Sequence, residues 1–104
     1  MDYLHTCELV LTFTMEEILL YKIHVMGYVQ GVGFRYRTMR EAVSRGINGF
    51  VKNMSDGSVY IEAEGTRKEL KNFVEWCKKG PGHVESVTVD PYPPLNYGDF
   101  HVEY

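Results

Sequence analysis

Apolar and polar positions alternate near the start of the chain, with Tyr21, Ile23 and Val25 set against Lys22, His24 and Met26. A period of two puts each set on its own face, which predicts a half-buried strand beginning at about Leu20. The alternation stops over residues 27–33, where three glycines predict a loop. The period then lengthens: Phe34, Thr38 and Ala42 recur every fourth position, with Met39 and Val43 beside them. That is an amphipathic helix, and Arg45-Gly46 ends it, because glycine accepts the left-handed stop. Residues 48–53 form a second strand around Phe50 and Val51, and Ser55-Asp56-Gly57 supplies a hairpin turn. Val59, Ile61 and Ala63 alternate with Tyr60, Glu62 and Glu64 in a third strand. Thr66-Arg67-Lys68-Glu69 is a capping box. The i, i+3, i+4, i+7 series Leu70, Phe73, Val74 and Cys77 predicts the helix that follows, and Gly80-Pro81 stops it. Val87 and Val89 mark a fourth strand, Pro91, Pro93 and Pro94 a connector, and Phe100, Val102 and Tyr104 a short last strand.

The order is β-α-β-β-α-β with one extra C-terminal strand. This is an α+β chain of the split-βαβ, ferredoxin-like kind, a mostly antiparallel sheet with two helices on one face. The other face is left for the aromatic surplus, eight tyrosines among it, with Tyr60 and Tyr104 as candidates. Residues 1–19 are expected to be a poorly ordered leader and residues 20–104 the domain. Within the leader, residues 9–13 alternate weakly like a strand, and Met15 offers an alternative start.

Composition narrows the function classes. The chain has 104 residues, one domain's worth. Its net charge of -3 argues against a nucleic-acid partner, which asks for a basic face. The apolar runs are far shorter than a membrane span. Two cysteines seventy positions apart, with no CxxC or Cys/His cluster, write neither a zinc site nor a disulfide scaffold. With no basic, apolar signal sequence at its start, the chain is expected in a reducing cytoplasm.

The first crossover carries the candidate chemistry. A strand-helix-strand connection within one sheet makes its two strands parallel. The glycine loop after the first strand and Asn53 after the second therefore face one sheet edge, with the third strand between them. Gly31 and Gly33 permit backbone angles that turn successive N–H groups inward. The N–H groups of Gln30, Gly31, Val32, Gly33, Phe34 and Arg35 then form a concave nest that ends on a helix N-terminus, a site for a phosphate-sized anion. Phosphate or sulfate are the expected occupants. Arg35 lies in the first helical turn, where a cation opposes the helix dipole. A surface arginine ordinarily finds a carboxylate, but none occurs from Ile18 through Arg40 in a chain with 14 acids. Its fork instead matches phosphoryl oxygens beside the nest. Arg37 and Arg40 point to other sides of the helix and read as solvated. Asn53 precedes a turn, the common structural use of asparagine. At the shared edge its carboxamide can instead hold an attacking water. No GxGxxG or GxxxxGK is present, the four histidines show no ligand spacing, and no metal or other cofactor is expected. Cys77 sits on an apolar helix stripe as a core residue.

Gly27-Tyr28-Val29-Gln30-Gly31-Val32-Gly33-Phe34-Arg35 resembles the signature of the acylphosphatases. Gly49-Phe50-Val51-Lys52-Asn53, followed by Asp56-Gly57-Ser58-Val59, resembles their second signature. The likeness runs from about Tyr21 to Tyr104 and takes in Glu64-Gly65 and Gly80-Pro81. It departs from the family pattern at Tyr28, often a basic residue there, and at Phe50, commonly a tryptophan. The resemblance implies a ferredoxin-like enzyme that hydrolyses acyl phosphates to a carboxylate and inorganic phosphate. It implies phosphate binding by Arg35 and water orientation by Asn53. A small-molecule acyl phosphate is then the partner, and a monomer is expected rather than a dimer. Two other readings use the same fold. One is a module that captures acyl or carbamoyl phosphate without turnover, as at the head of hydrogenase-maturation proteins. The other is single-stranded RNA binding on the open sheet face, against which Glu62 and Glu64 beside Tyr60 argue.

Overall fold

The computed structural model describes residues 17–104. The weak alternation over residues 9–13 and the alternative start at Met15 lie outside them. The elements are β1 (Ile18–Tyr28), α1 (Phe34–Ser44), β2 (Asn48–Asn53), β3 (Val59–Thr66), α2 (Arg67–Lys79), β4 (His83–Tyr92) and β5 (Phe100–Glu103). β1 starts two residues earlier than its alternation indicates. Ile18 and Leu19, assigned to the leader on sequence, pair with Thr66 and Gly65 of β3.

The sheet order is β4-β1-β3-β2-β5, with β2 and β5 parallel and the other neighbours antiparallel. β3 therefore separates β1 from β2, as the split arrangement requires. Both helices cover one face. Phe34 and Ala42 of α1 and Leu70, Phe73, Val74 and Cys77 of α2 pack with Ile23, Val25, Val51, Ile61 and Ala63 of the sheet. α2 is held at its start by the predicted capping box: Glu69 N–H donates to Thr66 Oγ1 at 3.2 Å, and Thr66 N–H donates to Glu69 Oε1 at 3.0 Å. Burial pushes the Cys77 thiol up to about 12, so it remains a neutral core group.

Pro91, assigned to the connector on sequence, lies within β4 opposite Tyr21. β4 is an edge strand, where a missing N–H costs no ladder bond. β4 and β5 occupy opposite edges, so the chain between them must cross the sheet. It does so over the open face, held by two buried carboxylates of β3. Glu64 accepts from the backbone N–H groups of Leu95, Asn96 and Tyr97, the last two at 2.8 and 2.7 Å. Glu62 accepts from the hydroxyls of Tyr60 at 2.6 Å and Tyr97 at 2.5 Å. Burial and the bond to Glu62 push both phenols above the ordinary tyrosine range. Phe50 packs against the rings of Tyr60, Tyr97 and His101 on this face.

Tyr60 thus dresses the open face as expected, but Tyr104 does not. Phe100, Val102 and Tyr104 share one parity, and the Phe100 ring meets Phe73 of α2 at a centroid distance of 6.4 Å. The period of two carries Tyr104 to the helix side as well.

Candidate active site

β1, β2 and β5 run in one direction, so their C-terminal ends reach the same sheet edge. Three segments distant in sequence meet there: the loop after Tyr28, the hairpin after Asn53 and the end of β5.

The loop needs glycine at two positions. Gly31 and Gly33 have φ of 76° and 77°, where a side chain costs about 1–2 kcal/mol. A Cβ added at either would meet nothing within 4 Å. The backbone angle, not crowding, therefore calls for glycine. Gly33 is the N-cap of α1, with no side-chain cap and no acidic residue in the first turn. Arg37 N–H, 3.1 Å from Gly33 O, makes the first bond back along the helix. The N–H groups of Phe34, Arg35 and Tyr36 come before it, at the positive end of the helix dipole.

Gly31, Gly33, Phe34, Arg35 and Asn53 line a single pocket of about 290 Å³. Gln30 and Val32 flank it in the loop. Among the described residues Arg35 has no carboxylate partner. Its guanidinium carbon instead sits 4.8 Å from the centroid of the Tyr104 ring, a cation–π contact that leaves the N–H edge of the fork open. Asn53 Oδ1 is fully buried and accepts no hydrogen bond. A buried acceptor without a donor costs about 1–3 kcal/mol. Arg37 and Arg40 are exposed on other sides of α1, and Arg40 sits 5.8 Å from the ring centroid of Tyr36.

Gln30 does more than sequence reasoning gives it. Its carboxamide nitrogen donates to Met54 O at 2.8 Å and Ser58 O at 2.9 Å. These two carbonyls flank the turn that follows Asn53, so the side chain ties the glycine loop to the hairpin. Inside the turn, Met54 N–H donates to Ser58 O at 2.8 Å. Ser58 donates to Asp56 Oδ1 from its N–H at 3.0 Å and its hydroxyl at 2.5 Å. The Ser58 hydroxyl beside Asp56 holds that carboxyl below the usual carboxylate range. His24 Nε2 lies 2.7 Å from Ser58 Oγ. The serine proton is engaged by the carboxylate, so this chain braces the turn and activates no nucleophile. Gln30 is separated from its acceptors by 24 and 28 positions, and no local pattern announces such a bond. Tyr104 also lines the pocket, a place that the parity of β5 marks.

A glycine loop, an arginine fork and a carboxamide thus line one pocket on a ferredoxin-like scaffold. The acylphosphatase family model matches residues 21–102. The acylphosphatase of Thermotoga maritima is 49% identical over 85 residues, covering 80% of this chain and 94% of that one. The crystal structure of acylphosphatase from Bacillus subtilis superposes with a TM-score of 0.80 at 43% identity, over 83% of this chain and 99% of that one. A phosphate- and nucleotide-bound full-length HypF matches at 28% identity and TM-score 0.75, over 85% of this chain but only 12% of that one. The chain belongs to the acylphosphatase family. It is a hydrolase of acyl phosphates, cleaving the carboxyl–phosphate bond to give a carboxylate and inorganic phosphate. Among the described residues no helix is long and apolar enough to cross a membrane.

Proposed function

We propose that the loop N–H groups and Arg35 hold the phosphoryl oxygens and that Asn53 positions the attacking water. The carboxylate is a good leaving group, so the reaction asks for positioning and charge stabilisation rather than a strong acid. The N–H groups from Gln30 to Arg35 and the Arg35 fork supply donors for the non-bridging oxygens. The Asn53 carboxamide holds the water in a hydrogen bond and so aims its oxygen at phosphorus. A phosphoryl oxygen of the substrate accepts the proton that water loses. No histidine or carboxylate of the chain is needed as a base. The observation that carries this reading is the meeting of Gly31, Gly33, Arg35 and Asn53 in one pocket from two separate segments. Since one chain supplies every group, the enzyme works as a monomer. Its setting is the cytoplasm, where inorganic phosphate or sulfate competes for the loop.

Steady-state hydrolysis of benzoyl phosphate by the wild type and by Asn53→Ala tests the assignment. Loss of an interaction made mainly in the transition state lowers kcat while leaving KM and phosphate inhibition near the wild-type values. The expected fall in kcat is roughly 100-fold, the scale of removing one preorganised polar group. A change confined to KM would move Asn53 to a binding role.

A further inference from the structure

The phosphoryl end accounts for only part of the pocket. Beside Val29 of the loop, its remaining wall is Tyr36 and Met39 of α1 with Val102 and Tyr104 at the end of β5. Arg35 is the one charged side chain among the described lining residues, and Asn53 the one carboxamide. With those two engaged at the phosphoryl group, only tyrosine hydroxyls are left for polar recognition of the acyl part. Two of these four wall residues are open to solvent: Tyr36 is 59% exposed and Tyr104 99%, while Met39 and Val102 are half-buried. Large apolar side chains clustered in solvent at the rim of a pocket mark a surface that a ligand covers.

Reaction geometry places the acyl group on the same side. Attack and departure lie roughly in line through phosphorus. Asn53 Oδ1 is buried, while Tyr36 and Tyr104 are exposed, which sets the carboxamide on the inner side of the pocket and the two rings on its outer side. Water held by Asn53 on the inner side sends the leaving carboxylate outward, toward the two rings. The pocket volume of about 290 Å³ suits one small substrate, being close to the lower bound of roughly 300 Å³ for ligand pockets.

We propose that Tyr36, Met39, Val102 and Tyr104 form an acyl subsite that selects substrates with an apolar chain or ring on the carboxyl group. This subsite rests on the proposed placement of the phosphoryl group in the same pocket. Its ligands are acyl phosphates of medium-chain or aromatic carboxylic acids, and acyl groups carrying a second charge are disfavoured.

Acyl methylphosphonates, in which a methylene replaces the scissile oxygen, measure the subsite without turnover. Their affinities are to be measured by calorimetry for the acetyl, butanoyl and hexanoyl members and for a succinyl member that ends in a carboxylate. On a half-open wall, affinity should rise about tenfold from acetyl to hexanoyl, with the succinyl member no tighter than acetyl. Tyr36→Ser should flatten the rise and Tyr36→Leu should restore it, and both variants should bind inorganic phosphate within about twofold of the wild type. A flat series in the wild type, tightest binding by the succinyl member, or a rise that Tyr36→Ser leaves intact would each overturn the subsite. Hydrolysis of acyl phosphates with the same chains by Asn53→Ala separates the two readings. If affinity rises along the series but Asn53→Ala hydrolyses the members at the wild-type rate, the subsite stands and the water-positioning role of Asn53 falls.

Discussion

An arginine in the first turn of a helix works against the helix dipole, and Arg35 does so with no carboxylate beside it among the described residues. That arrangement costs a few tenths of a kcal/mol in the free protein. It becomes favourable once a dianion sits between the fork and the loop N–H groups. Removing one charge-assisted partner of a bound phosphate costs about 2 kcal/mol, roughly thirtyfold in affinity. Arg35→Ala should therefore weaken inorganic phosphate inhibition about thirtyfold and raise KM with it, while the circular dichroism spectrum stays unchanged. Arg35→Lys should recover only part of the loss, because an ammonium keeps the charge but not the two-pronged geometry. Near-normal phosphate inhibition in Arg35→Ala would take the arginine out of the site.

Two elements have to be held in register for the chemistry to work, the glycine loop and the hairpin behind Asn53. Gln30 spans them with two hydrogen bonds from one carboxamide. Gln30→Ala keeps the loop N–H groups and Arg35, so phosphate should bind within about twofold of the wild type. What it loosens is the position of Asn53, and kcat should fall about tenfold, the effect of a small misplacement of a positioned group. In the Asn53→Ala background the same change should lower kcat little further, because the two residues act on one water. Additive losses would make Gln30 a general brace instead. Most of this level of organisation was legible in the sequence. Alternation gave four strands, the i+4 series gave both helices, and one rule, that a βαβ crossover makes its strands parallel, brought Asn53 to the glycine loop. What stayed hidden has physical causes. The Gln30 bonds depend on where the hairpin folds back, a tertiary fact. Ile18 and Leu19 join β1 because Thr66 and Gly65 lie opposite to receive them, not because their own pattern differs from the residues before them. Pro91 reads as a chain breaker until β4 is known to be an edge. Tyr104 follows Phe100 and Val102 on the same face, so its place at the pocket is legible in the parity of β5.

For the whole molecule, the net charge of -3 would repel a dianionic substrate if it were evenly spread. It is not, because no acid occurs from Ile18 through Arg40 while Lys22, Arg35, Arg37 and Arg40 do. The acids are concentrated elsewhere, Glu62 and Glu64 on the open face among them. Asp56 is held below its ordinary range by the Ser58 hydroxyl. Its contribution to the hairpin is present above pH ~4 and is lost only as pH falls through its lowered value. His101 is raised by its bond to Asp99 and, secondarily, by Glu103. Its contribution to stability is full below about pH 6.5 and is lost as pH rises through its raised value. The side chain is 44% exposed, so solvent screening leaves the pair worth only a few tenths of a kcal/mol. The midpoint of thermal unfolding should therefore fall by about 2 °C between pH 6 and pH 8, and His101→Gln should remove that slope. Hydrolysis should not follow it. His101 lies on the open face of the sheet, and arginine and asparagine do not titrate in this range, so kcat should be flat from about pH 5.5 to 8. A fork of N–H donors and one carboxamide offers a divalent cation no anionic ligand, so EDTA should leave the rate unchanged. Melting curves and kcat measured over the same buffers, with and without chelator, check both halves. A limb in kcat near the histidine range, or revival by magnesium, would mean that a group outside Arg35, Asn53 and the loop takes part in the reaction.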